Sequence, residues 1–80
     1  MEIMRVISDL VASRRITGLS SSSLRVLEDC KGKLSVAVDP VGVPPGKWVF
    51  TTGGSAARIA TGDKRILTDL TICGIIDHWT

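Results

Sequence analysis

Apolar and polar residues alternate in short runs along this chain, and glycine, proline or serine separates one run from the next. Alternation with a period of two is the mark of a half-buried strand. From Ile3 to Val11 it puts Met4, Val6, Leu10 and Ala12 on one face and Ile3, Arg5, Ile7, Asp9 and Val11 on the other. The second face is only half polar, so a neighbouring subunit is expected to cover it. Leu24–Glu28 and Leu34–Val38 read as a hairpin, with Leu24 and Val26 alternating with Arg25 and Leu27, and Leu34, Val36 and Val38 alternating with Ser35 and Ala37. Asp29-Cys30-Lys31-Gly32 supplies its turn, Gly32 taking the left-handed position. Trp48–Thr52, aromatic and β-branched, is a fourth strand. Thr71–Trp79 is the fifth, with Ile72, Ile75 and Ile76 leaving apolar residues on both of its faces.

The segments between these runs are turn-forming. Ser13–Ser23 reads as a surface loop, basic at Arg14-Arg15 and polar through Ser20-Ser21-Ser22-Ser23. Asp39-Pro40 ends the hairpin, since proline cannot donate to a sheet ladder. Val41–Gly46 then forms a corner in which Pro45-Gly46 suits a type II turn. Gly53-Gly54 breaks the fourth strand, Ser55 is placed to cap a helix, and Ala56–Ala60 is a short helix former. Thr61–Lys64 is a glycine-bearing turn and Arg65–Leu70 a short extended piece. Five short strands, glycine and proline corners and one small helix predict an all-β fold. Its form is a small five-stranded open β-barrel, OB-like, in a single domain over residues 1–80.

Composition adds a constraint. An 80-residue chain buries only roughly 60% of its unfolded surface, yet 44% of these residues are hydrophobic and the mean hydropathy is +0.27. No run reaches the length of a membrane helix, and MEIMRVISDL carries acids where a signal peptide is basic. The surplus apolar surface is therefore expected to be buried by self-association. The net charge is only +2 and the basic residues are scattered, which is poor material for a nucleic-acid face. Cys30 and Cys73 lack ligand spacing, so zinc is not expected and both read as reduced thiols.

Candidate chemistry is sparse. His78 is the only histidine, and its neighbour Asp77 points to the opposite face of a strand, so no triad with Ser55 is expected. Asp39, Asp69 and Asp77 sit beside turns or strand ends and are expected to face water rather than hold a metal. Gly53-Gly54-Ser55 opening a helix is similar to an anion-binding nest but lacks the P-loop pattern. Trp48 and Phe50 share a strand face that reads as core, leaving few aromatics for base stacking. No catalytic residue and no cofactor are expected. The alternative to a structural role is a small-barrel module binding single-stranded nucleic acid or another anionic polymer.

VAVDPVGVPPGKWVFTTGGSAAR, followed by DLTICGIIDHW, resembles the pentameric vertex proteins of bacterial microcompartment shells, and within them the α-carboxysome branch. The shared features are Val38-Asp39 leading to Gly42, Pro45-Gly46 before a strand, Gly54-Ser55-Ala56-Ala57-Arg58, and the closing Gly74-Ile75-Ile76-Asp77. The resemblance covers nearly the whole chain. It implies a non-enzymatic shell protein of the carboxysome, a carbon dioxide-fixing microcompartment in the cytoplasm. Five barrels would form a ring that caps the vertices of an icosahedral shell built mostly of hexamers. The implied partners are four further copies and the hexameric shell proteins, without nucleic acid or membrane. By the same resemblance Gly54, Ser55 and Ala56 would line a narrow pore on the five-fold axis, with Gly53, Ala57 and Arg58 beside it. Arg14, Arg15, Lys31 and Lys33 are candidates for contact with hexamers, by exposure alone.

Overall fold

The computed structural model describes residues 1–19 and 22–79; Ser20 and Ser21, the first half of the serine run, and Thr80 lie outside them. Five strands form the chain's framework: β1 (Glu2–Asp9), β2 (Leu24–Glu28), β3 (Leu34–Val38), β4 (Trp48–Gly53) and β5 (Leu70–Ile75). A 3-10 turn at Thr17–Leu19 lies between β1 and β2, and a five-residue helix, α1 (Ala56–Ala60), between β4 and β5. Around the barrel the order is β1-β2-β3-β5-β4, and β4 pairs back onto β1. The small five-stranded barrel with one short helix is thus present. Its seam, where an open barrel would gape, is held by a single parallel pair, Val38 with Thr71.

The β2–β3 hairpin keeps full register from Leu24 opposite Val38 to Glu28 opposite Leu34. Its turn is set by two features, the expected left-handed glycine and an Asp29 carboxylate contact that the sequence reading did not name. Gly32 has φ +82°, which only glycine takes readily. The Asp29 carboxylate accepts the amides of Lys31 and Lys33, each at 2.9 Å. Those two amides, with the nearby lysine charges, hold the Asp29 carboxyl below its ordinary pKa.

The interior is small. Met4, Val6, Leu27, Ala37, Val43, Val49 and Ile72 make one contiguous core. Thr51 and Thr71 complete the inward rows, and each buried hydroxyl has a partner: Glu2 O at 3.4 Å for Thr51 and Ala57 O at 2.7 Å for Thr71. On β4 the inward residues are therefore Val49 and Thr51. Trp48 and Phe50, expected in the core, face outward, each a little over a third exposed. The reason is volume: a barrel of five short strands holds one layer of medium side chains. Two aromatic rings do not fit inside it. They are instead accommodated outside. Phe50 lies across Gly74, whose absent side chain leaves the space; a Cβ there would stand 2.6 Å from the ring. Trp48 packs edge-on against Trp79 with ring centroids 5.3 Å apart.

Two strands are shorter than their hydropathy runs. β1 stops at Asp9 after a register shift between Val6 and Ser8, and β5 stops at Ile75. Beyond them Val11 and Trp79 are exposed. Of the Arg65–Leu70 piece expected to be extended, only Leu70 is in a strand; Lys64 and Arg65 form a turn closed by the Ile66 amide on Asp63 O at 3.1 Å, and Leu67 follows it. It meets the first loop where the Leu67 amide donates to Gly18 O at 3.4 Å, and a Cβ on Gly18 would collide with Leu67.

One end of the barrel is closed by an ionic plug. Asp39, expected to face water, is buried. Its carboxylate accepts the amides of Val41, Gly42 and Val43 at 2.7–2.9 Å and pairs with Arg25 Nε at 3.1 Å. Arg25 Nε also lies 3.1 Å from Val43 O, and Nη1 lies 3.4 Å from Asp9. The Val41–Gly46 corner doubles back over the barrel end, so its amides have lost water and need an acceptor. One carboxylate serves three of them. Asp39→Ala leaves three amides without their acceptor and takes from a largely buried guanidinium its nearest carboxylate, with only Asp9 at 3.4 Å remaining, a change worth about 3–5 kcal/mol. Denaturant unfolding at matched protomer concentration is expected to show that loss. Asp29→Ala, on an exposed turn, is expected to lose much less.

Candidate functional site

The Gly53–Arg58 turn stands at the opposite end of the barrel from the Asp39 plug. β4 carries the chain up to Gly53, which pairs with Leu70 on β5. Gly54 then turns the chain with φ +63° and donates its amide to Asp69 O at 2.9 Å. The Ala57 amide donates to Gly54 O at 3.2 Å. Ala57 itself is fully buried, and its carbonyl accepts the Thr71 hydroxyl. The turn is thus fastened to β5 at both Asp69 and Thr71. At its far side the Arg58 carbonyl accepts both the amide and the hydroxyl of Thr61, ending the helix.

This anchoring sorts the six residues assigned around a pore. Gly53, Gly54, Ser55 and Ala56 form an exposed crest, Arg58 is exposed beside it, and Ala57 is the buried anchor beneath. Ser55 does not cap the helix. It already has helical angles, φ −66° and ψ −27°, and its side chain makes no capping bond; a capping side chain needs an extended backbone. Gly54 has taken over the reversal that the cap would have made. The nest reading is correspondingly reduced, since the amides of Gly54 and Ala57 are used within the fold. The crest offers one hydroxyl, one guanidinium and close backbone approach. It holds no acid–base pair.

The four candidate rim cations separate. Lys31 and Lys33 are exposed on the hairpin at the crest end of the barrel, whereas Arg14 and Arg15 follow β1 at the other end. Arg15 is not a surface charge at large: its guanidinium bridges the carbonyls of Ala12, Leu19 and Ser22. A loop without ladder bonds leaves such carbonyls wanting donors, and a planar five-donor group satisfies several together. Arg14 remains exposed. His78 and Asp77 are exposed near the end of the chain. Among the described residues no three His, Cys, Asp or Glu gather as metal ligands. Cys30 is exposed, Cys73 is half-buried, and both are free.

An outer apolar face was legible in the sequence at Ile3 and Ile75, but its aromatic members were not. Ile3, Trp48, Phe50, Ile75 and Trp79 lie together on the outer face of β1, β4 and β5, with Ile3 directly opposite Phe50. The signal for the aromatics was the glycine at 74, a space for an aromatic on the facing strand. The aromatics are exposed after all, but their setting does not suit a polyanion. Glu2, Asp29 and Asp77 outnumber Lys31 among the charged residues bordering the hollows around them, and Arg5 is paired with Glu28 at 3.5 Å.

The family model described as "Ethanolamine utilisation protein EutN/carboxysome" matches residues 1–77. The carboxysome shell vertex protein CsoS4B of Halothiobacillus neapolitanus is 70% identical over 79 residues, covering 99% of this chain and 98% of that protein. Its solved structure superposes with a TM-score of 0.92 at 68% identity, covering 98% of this chain and 100% of the other. The shell vertex protein EutN of Salmonella typhimurium is 31% identical, covering 98% of this chain and 85% of that protein. GrpN, a pentameric microcompartment shell protein from Rhodospirillum rubrum, superposes with a TM-score of 0.87 at 29% identity, covering 100% of this chain and 98% of the other. High coverage runs through all five comparisons, and the two solved structures share the barrel: the chain belongs to the EutN/CcmL family.

Proposed function

We propose that this chain is a structural shell protein whose five copies form a ring closing the vertices of an α-carboxysome shell, with residues 1–80 as the vertex domain. The observation that carries the reading is the apolar outer face at Ile3, Trp48, Phe50, Ile75 and Trp79. Left in water, a patch of that kind is a liability in so small a protein. A ring of identical subunits covers it. The names of the relatives point the same way, since CsoS4B is a carboxysome shell vertex protein and GrpN a pentameric shell protein. Flat hexagonal tiling does not close, and five-fold units supply the curvature that an icosahedral shell needs. The work is geometric, without catalysis or cofactor. Arg14, Lys31 and Lys33 serve as polar rim groups toward hexameric neighbours, and such charges act mainly on association rate and specificity.

Native mass spectrometry at micromolar concentration is expected to give a single species of five 8.5 kDa chains. Mixed with purified hexameric shell proteins, that species is expected to yield closed particles, and hexamers alone only open sheets or tubes. A monomer in the first measurement, or equally closed shells without this chain in the second, overturns the reading.

In the same ring the crest of Gly54, Ser55 and Ala56 faces the axis, with Gly53, Ala57 and Arg58 behind it. Support comes from the small side chains and the double anchoring to β5, which suit a place where five copies converge. Ser55→Trp, exposed in the single chain, is expected to leave the subunit fold unchanged by circular dichroism. It is expected to lower pentamer stability or block the axis. Pentamers as stable as the parent, with residue 55 far from the axis in a crystal structure, overturn the assignment.

A further inference from the structure

The outer apolar face carries a side chain that none of the roles above uses. A shallow hollow of about 540 Å³ is lined there by Ile3 on β1, Phe50 on β4 and Ile75 on β5, with His78 and Trp79 beyond the end of β5. His78 is the only histidine in the chain. It is exposed in the single subunit, and among the described residues it makes no hydrogen bond and stands in no ion pair. Water therefore solvates its ring in either charge state. Histidine is the side chain whose ordinary charge change falls between about pH 5 and 8. Carboxylates titrate below that window, and thiols and an α-amino group at or above its upper end. Hydrogen bonds hold Asp29 and Asp63 lower still. For a response to mild acid the composition supplies a single candidate.

The surroundings decide the sign of that response. β1, β4 and β5 present apolar side chains to the hollow, and Asp77, on the same segment as His78, is the one carboxylate among its lining residues. The adjoining hollow around Trp48 and Trp79 is bordered by Glu2, Asp29 and Lys31, and Arg5, opposite Trp48, is paired with Glu28. A subunit that covers this face takes water from the imidazole and leaves it against isoleucine and aromatic rings. That loss costs the charged ring far more than the neutral one. The formal charge of +2 per chain acts in the same direction, because every further proton adds to an assembly already positive. Asp77, Glu2 and Asp29 oppose it. None of them lies within ion-pair distance of the imidazole, so theirs is the smaller effect.

We propose that His78 makes the assembly acid-sensitive: the ring holds the imidazole neutral against the apolar face, and its protonation loosens the ring. The proposal rests on the pentamer reading above. The group binds its proton less readily in the ring than in the free subunit. Ring stability is therefore complete above the free subunit's titration range and is lost as the pH falls through it. Each of the five subunits that separates in acid takes up a proton at His78. The single subunit keeps its fold throughout, since His78 is no part of the core.

Sedimentation velocity over a concentration series at about pH 7.5 and about pH 5.5 tests this, with circular dichroism at both. The midpoint concentration for assembly of the parent is expected to rise at least about tenfold at the lower pH, with an unchanged spectrum. His78→Gln, neutral at both, is expected to give one midpoint at the two pH values. A parent midpoint that does not rise in acid, or a variant that shifts as the parent does, overturns the proposal while leaving a pentameric parent intact. Should His78→Gln fail to assemble, the imidazole resonance of the unaltered chain is titrated by NMR in rings and in dilute free subunits. A lower midpoint pH in the rings is expected, and an equal or higher one overturns the proposal. A parent that is monomeric at both pH values overturns the pentamer reading and this proposal with it.

Discussion

The interior of a five-stranded barrel has room for about one layer of side chains, and the rest of this molecule follows from that limit. Seven residues from Met4 to Ile72 fill it. Every further apolar side chain that the sequence carries has to go to the outside or under a loop. Ala37 is taken in and Val36 is turned out; Val49 and Thr51 are taken in and Trp48 and Phe50 are turned out. A larger domain would hide such residues in a second layer. This one leaves them on two flanks of a small barrel, where another copy of the same chain is the simplest means of covering them.

The two barrel ends are closed by different chemistry, and the difference divides their roles. At the Asp39 end, buried charge holds the chain: a carboxylate gathers three amides and a guanidinium, so the corner after β3 has little freedom. At the crest end the anchoring is neutral, through Asp69 O to Gly54 and the Thr71 hydroxyl to Ala57. Above that anchor only small side chains and Arg58 are presented. Such a crest acts through shape. Its anchoring to β5 fixes that shape, and it contains no pair of groups able to exchange a proton with a substrate.

The same logic ranks the charged residues. Arg25 and Asp39 are worth most because they are largely out of water and satisfy each other along with backbone groups. Arg15 organises its own loop. The Asp63–Arg65 pair is mutual and surface-exposed, and each partner shifts the other's pKa toward the charged form. Exposed pairs of that kind contribute little to stability. Arg14, Lys31 and Lys33 are exposed and stand in none of the ion pairs among the described residues, and the same holds for Lys47, Arg58 and Lys64.

Much of the local structure was legible in the residues. The β2–β3 hairpin with Gly32 at its turn, the β4 run, the reversal at Gly54 and the helix over Ala56–Ala60 all stand where composition put them, because each depends on neighbours within a few positions. The family resemblance located the crest in the same way, by a contiguous motif. What the alternation did not carry was direction. A period of two says that Trp48 and Phe50 share a face, and that Val49 and Thr51 share the other, but it reads the same if inside and outside are exchanged. Interior volume and the space above Gly74 broke that symmetry, and both exist only once β4 lies beside β5. Asp39 is the polar counterpart. Its burial depends on Arg25 arriving from β2 and on a corner folding back over the barrel, partners that no local window contains.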